Sequence, residues 1–206
     1  MALSADKTSS QSGWEQISDE DGIIVYQRSE LGSRVLSMRG EGVVAAVPQA
    51  VFSTISNNDE AQEWVPLVVA RSTVKELTGT QRIEYTHVSP PWPVADRYFI
   101  NVLSVERRRD GSIYVVVQSA KPAQIDPSWL HDNMVLGELL YSDFTLTPTD
   151  GGRHTHLSFT LQTDPKGVLP KFLVNLFQRR WPRDFMLGLR RQMQRKGLLE
   201  TDVLAH

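Results

Sequence analysis

Asp96 and Arg97 open the run DRYFINVLSV, placing two charges at the mouth of a segment whose apolar and aromatic residues read as a buried strand. Such a pair either caps the strand as a structural ion pair or sets a polar group at the edge of a cavity. Glu84, in RIEYTHV, is the second conspicuous charge. Strand alternation puts Glu84, Thr86 and Val88 on one face and Ile83, Tyr85 and His87 on the other. A buried carboxylate without a cation is costly or takes up a proton. Three outcomes are therefore open for Glu84: pairing with Arg97, solvation at a cavity mouth, or a neutral acid that hydrogen-bonds a ligand hydroxyl.

Other chemistries find less support. Glu84, Tyr85 and His87 supply acid–base side chains, but no base held by a third group can be read from the sequence. His154 and His156 share a strand face without a further His, Cys or carboxylate to complete a metal set, so no metal is expected. G-x-S-x-G, P-loop and dinucleotide motifs are absent. The lack of cysteine excludes thiol catalysis and disulfides. A net charge of −2 argues against a nucleic-acid partner.

That charge is unevenly spread. Between Lys166 and Lys196 nine basic residues face a single acid, Asp184. Arg190, Arg191 and Arg195 in this stretch are expected to make transient contact with an anionic membrane surface, each basic group contributing about 1 kcal/mol. The alternative is a solvated helix face with cations near its C-terminal end.

The elements that position these groups follow from periodicity and turn chemistry. Residues 1–13 read as a disordered leader, 14–200 as one folded domain and 201–206 as a tail. GIIVYQR and SRVLSMRGEGVV form a hairpin, and Pro48 starts a short helix that ends near Asn57. Paired strands follow: PLVVARSTVKEL with QRIEYTHV, RYFINVLSVERRR with SIYVVVQSA around Asp110-Gly111, and GELLYSDFTLTPT with HTHLSFTLQT around Asp150-Gly151-Gly152. From Val168 to about Lys196 the period becomes helical, with Pro182 expected to kink or split the helix. Strands followed by one long helix predict an α+β fold, a curved antiparallel β-sheet with the C-terminal α-helix packed on one face. A bent sheet closed by a helix can enclose a pocket of the kind small molecules use. No run is apolar over 18 residues, and the N-terminus lacks a signal-peptide stretch. The default location is cytoplasmic, or periplasmic if a signal peptide has been removed.

DGIIVYQR (21–28), Trp64 in EWVP, PPWPVADRYF (90–99) and TDPKGVLPKFLVNLFQRRWPRDF (163–185), in this order, resemble the START (steroidogenic acute regulatory protein-related lipid transfer) domains. The resemblance implies a helix-grip fold in which the sheet wraps the long C-terminal helix around an apolar tunnel. It implies non-covalent binding and transfer of one lipid or hydrophobic small molecule, without a cofactor, by a monomer. Its arginine matching Arg97 is a structural or cavity-edge residue. Steroid-binding relatives place a tunnel-facing carboxylate at the position of Glu84 and pair it with an arginine six residues beyond the match to Arg97. Here that position is Leu103, which weakens any carry-over of steroid specificity.

Trp64, Phe99, Leu169, Phe172, Leu173, Leu176 and Phe177 are expected to line the tunnel, although an apolar stripe at helical spacing also suits plain core. The Gly-bearing TDPKGV loop is expected to act as a hinge for a lid. Two other functions remain in play: a helix-grip enzyme of the polyketide cyclase or aromatase type, and a ligand-gated interaction module.

Overall fold

The computed structural model describes residues 13–169 and 171–199, with the side chains of all of these except residues 171–173 and 175. The expected leader and tail thus lie outside the described residues, Gly13 apart. Ten strands form one sheet: β1 Glu15–Glu20, β2 Ile23–Ser29, β3 Leu36–Val44, β4 Val68–Thr78, β5 Gln81–Val88, β6 Arg97–Arg107, β7 Ile113–Ser119, β8 Val135–Leu136, β9 Glu138–Thr149 and β10 His154–Asp164. Their order is β1-β2-β3-β10-β9-β7-β6-β5-β4, and every neighbour along this path is antiparallel. β8 lies off it, parallel to β6. Among the described residues the α-helices are α1 Pro48–Ile55, α2 Ala61–Trp64 and α3 Lys171–Arg195.

The α+β expectation and the hairpins hold. β1, β8 and the single turn of α2 are additional. They are short, and EQISDE and AQEW carry too few apolar residues for a periodic signal.

Pro182 does not split α3, which runs unbroken from Lys171 to Arg195. A mid-helix proline costs about 3 kcal/mol in isolation, so packing must offset it. Pro182 is buried against β3 at Gly40, where an added Cβ would stand 3.0 Å from Pro182 Cβ and 2.5 Å from the Phe159 ring. The helix therefore rests on a strand position without a side chain. It also begins later than expected, because Lys166 and Gly167 adopt positive φ (51° and 73°) and hold residues 165–169 as a loop.

Beyond Pro182, Phe185, Met186, Leu189 and Met193 are buried in the main core. Phe185 packs on Trp64 (ring centroids 5.2 Å), Phe159 (5.1 Å) and Trp181 (4.8 Å). Gly188 lets α2 close on α3, since a Cβ there would lie 2.3 Å from the Trp64 carbonyl oxygen.

β6 is apolar on both faces for a reason visible in the structure. Its outward residues Tyr98 and Ile100 join Ile83 and Ala120 in a second core, roofed by Ile125, Trp129 and Met134 from the segment before β8. The strand registers define two ends of the sheet. At the near end lie the end of β5, the start of β6, the end of β10 and the β2–β3 turn; at the far end lie the starts of β2 and β10 and the end of β3.

Candidate functional site

A cavity of about 300 Å³ lies between the sheet and the helices α1 and α3. Most of its wall is apolar: Phe52 from α1, Phe99 and Leu103 from β6, and Phe177, Trp181 and Phe185 from α3 all face it. The charged groups on the wall are Arg71, Glu84 and Arg97. Its size falls at the lower end of the roughly 300–1,000 Å³ typical of small-molecule pockets.

Glu84 reaches the cavity with Thr86 and Val88, the face that alternation assigns to it. It is 6% exposed and pairs with Arg82, whose Nε and Nη2 both stand 2.8 Å from Oε1. Arg82 precedes it by two residues on the same strand face, so the sequence carried the signal for this partner. Arg71, from β4, donates through Nη2 to the carbonyl oxygens of Ile55 (2.6 Å) and Asn57 (2.9 Å) at the C-terminal end of α1. Burial pushes the Arg71 guanidinium below its ordinary pKa, while the charge of Glu84 opposes that shift.

Arg97 does not meet Glu84. The register pairs Arg97 with Val88 and Asn101 with Glu84, a separation of four residues, or about 13 Å along the strands. Nor does Arg97 cap the strand with Asp96, because neighbouring strand residues point to opposite faces. Asp96 turns outward, its Oδ2 lying 2.6 Å from His87 Nε2 and its Oδ1 accepting from Ser89 Oγ at 2.8 Å. Hydrogen bonds from Ser89 and then His87 hold its carboxyl below the usual range. Arg97 turns inward and is 4% exposed. Its Nη1 donates to Ala95 O, and its Nε has no partner among the described residues. Burial lowers its pKa, partly offset by the charge of Asp96.

The remaining expected lining residues divide. Phe99, Leu169 and Phe177 face the cavity. Trp64 is core behind the wall, against Phe185. Leu176 is 44% exposed, on the outer side of α3. The side chains of Phe172 and Leu173 lie outside the described residues. Tyr85 and His87 occupy the face away from the cavity, Tyr85 against Tyr98 and His131 and His87 against Asp96. Among the described residues no three His, Cys, Asp or Glu come together as a metal site.

The basic end of α3 lies at the far end of the sheet. Arg190 donates to the backbone oxygens of Asp21, Gly22 and Val43. Arg195 pairs with Glu63 and Gln192, and Arg191 is exposed. At the near end, three loop tips are apolar and open: Leu31, Trp92 (92% exposed) and Val168 (103% exposed). No helix among the described residues is long and apolar enough to cross a membrane.

Comparison with known proteins gives consistent results. The START domain family model matches residues 1–197. An uncharacterised protein of Pseudomonas aeruginosa is 23% identical over 185 residues, spanning 89% of this chain and 88% of that protein. The solved STAR-related lipid transfer protein (fragment 25–204) of Xanthomonas axonopodis superimposes with a TM-score of 0.74 at 27% identity, covering 88% of this chain and 99% of that one. Human StAR-related lipid transfer protein 5 gives a TM-score of 0.81 at 20% identity, covering 91% and 89%.

Proposed function

The chain belongs to the START domain family, and from that premise we propose that it takes up a single lipid or other hydrophobic molecule and carries it, chemically unchanged, between membranes. The carrying observation is the apolar cavity enclosed between sheet and α3. Burial of ligand surface there supplies about 25 cal/mol per Å². The protein acts as a monomer without cofactor or nucleic acid. A non-catalytic role is supported by Tyr85 and His87, which stand on the wrong side of the sheet to share a substrate with Glu84.

The test is organic extraction and mass spectrometry of gently purified protein, paired with a blocked cavity. Val117→Trp, on the cavity wall, is expected to keep the fold by circular dichroism and to lower uptake of lipid from mixed vesicles about ten-fold or more. Ser142→Phe, on the same wall, serves if the first variant does not fold. Uptake unchanged in a folded, blocked variant would sink the cavity as the binding site. A bound molecule released with altered mass would favour the enzyme reading.

Contact with the donor membrane is assigned to the near end. Trp92 and Val168 flank cavity-lining residues (Pro90, Val94 and Leu169), and exposed apolar tips gain by entering a bilayer. Arg190 and Arg195 already have partners within the fold. Trp92→Ser with Val168→Ser should slow vesicle-to-vesicle transfer about ten-fold while sparing binding; Arg191→Glu should change it less than about two-fold. The reverse ranking would move docking to the C-terminal end of α3.

A further inference from the structure

Arg97 is a buried cation at the cavity wall with no carboxylate of its own among the described residues. The anions around it are engaged elsewhere. Asp96 faces away, bound to His87 and Ser89. Glu84 is held by Arg82, four residues along the sheet. β8 pairs with Arg97 through Val135, and the two nearby carboxylates that follow, Glu138 and Asp164, both bind Lys166 Nζ, at 2.6 and 3.0 Å. Of the five donors on the guanidinium, the described residues give a partner to Nη1 alone, the carbonyl of Ala95.

A buried charge without a counter-ion is strongly unfavourable, and a turn needs no charge to be capped at one carbonyl. Asparagine or glutamine would do that at less cost. The position is also roofed by backbone: an added Cβ on Gly167 would lie 3.7 Å from Arg97 Nη2. The positive-φ loop before α3 therefore closes directly over this guanidinium. The rest of the wall, toward Leu103, Val115 and Phe185, is apolar.

Building on the carrier reading, we infer that the natural ligand is a single-chain acidic amphiphile, whose carboxylate or phosphate monoester sits on Arg97 beneath the Gly167 loop and whose tail fills the apolar part of the cavity. The planar guanidinium matches either head group. A cavity of about 300 Å³, at the lower end for small-molecule pockets, suits one chain better than two. In the middle of the cavity Glu84 is taken up by Arg82, and Arg71 by the carbonyls of Ile55 and Asn57, so the head group is drawn to Arg97 at the near end and the chain enters tail first.

Displacement of the neutral probe diphenylhexatriene, at pH 8 so that the acids are ionised, separates the possibilities. Oleate, oleyl phosphate and oleyl alcohol share one chain and differ only in the head. The wild type is expected to bind one or both acids at least about ten-fold more tightly than the alcohol, a ratio set by one charge-assisted pair. Preference for oleate names a fatty acid; preference for oleyl phosphate names a phosphate head. Arg97→Met should bring acid and alcohol to parity with alcohol binding retained, and Arg97→Lys should keep part of the preference. Arg97→Gln gives the same readout if Arg97→Met does not fold. Equal wild-type binding of acids and alcohol, or an acid preference that survives Arg97→Met, overturns the inference while the carrier function stands. Failure to bind the probe and all three chains removes both.

Discussion

Gly188→Val is expected to destabilise the protein by about 3 kcal/mol and to lower its thermal midpoint by roughly 6–12 °C. The reason is the backbone of α2. A Cβ at residue 188 would stand 2.3 Å from the Trp64 carbonyl oxygen and 3.3 Å from its carbon. No side-chain rotation relieves a clash with a main-chain carbonyl, so α2 must move off α3. That movement pulls Trp64 from Phe185 and loosens the aromatic group formed with Phe159 and Trp181. Gly79→Ala is the control, because nothing lies within 4 Å of a Cβ there; it should shift stability by less than about 0.5 kcal/mol. Urea melts of both variants give the comparison. If Gly188→Val melts with the wild type, α2 is not locked to α3, and the wall behind the cavity is looser than the packing implies.

The second large effect concerns the pair beneath the cavity. Glu84→Gln should cost about 2 kcal/mol, because it leaves Arg82 and Arg71 beside a neutral amide in a site mostly closed to water. The figure sits below that of a fully buried pair because the Arg82 side chain keeps 20% of its exposure. Arg82→Gln should cost less, and the double variant less than the sum, with a coupling of about 1 kcal/mol or more in a double-mutant cycle. Strict additivity would show that Arg82 is not the partner that matters. Ligand preference is the separate readout, since the cation for the carboxylate comes from the same strand, two residues earlier.

Much of the architecture was legible because it rests on local signals. Asp110-Gly111 and Asp150-Gly151-Gly152 mark their hairpins by turn chemistry, and Phe185, Met186, Leu189 and Met193 mark the buried stripe of α3 by period. The faces of β5 were equally readable, which placed Glu84 on the cavity side. What resisted reading depends on contacts between distant segments. Pro182 reads as a break until Gly40 of β3 is seen beneath it. Trp64 could line a tunnel or fill a core, and only its contact with Phe185 separates the two. The basic run at the end of α3 looks like a free patch, but Arg190 is consumed by carbonyls more than a hundred residues away. Charge counted along a chain does not reveal which charges are spent.

Among the described residues the sheet ends in two strands, β1 and β4, each with a free side. A row of unsatisfied amides and carbonyls is an invitation to another chain. Both borders are defended in kind. β4 breaks its pairing with β5 at three places, between Val68 and Ala70, Thr73 and Lys75, and Glu76 and Thr78. β1 breaks at Gln16–Ser18 and carries Glu15, Asp19 and Glu20 in six residues. An incoming strand would find a crooked ladder on one side and a line of like charges on the other. The same kinks that spoil the edge for a stranger favour molecules that stay dispersed.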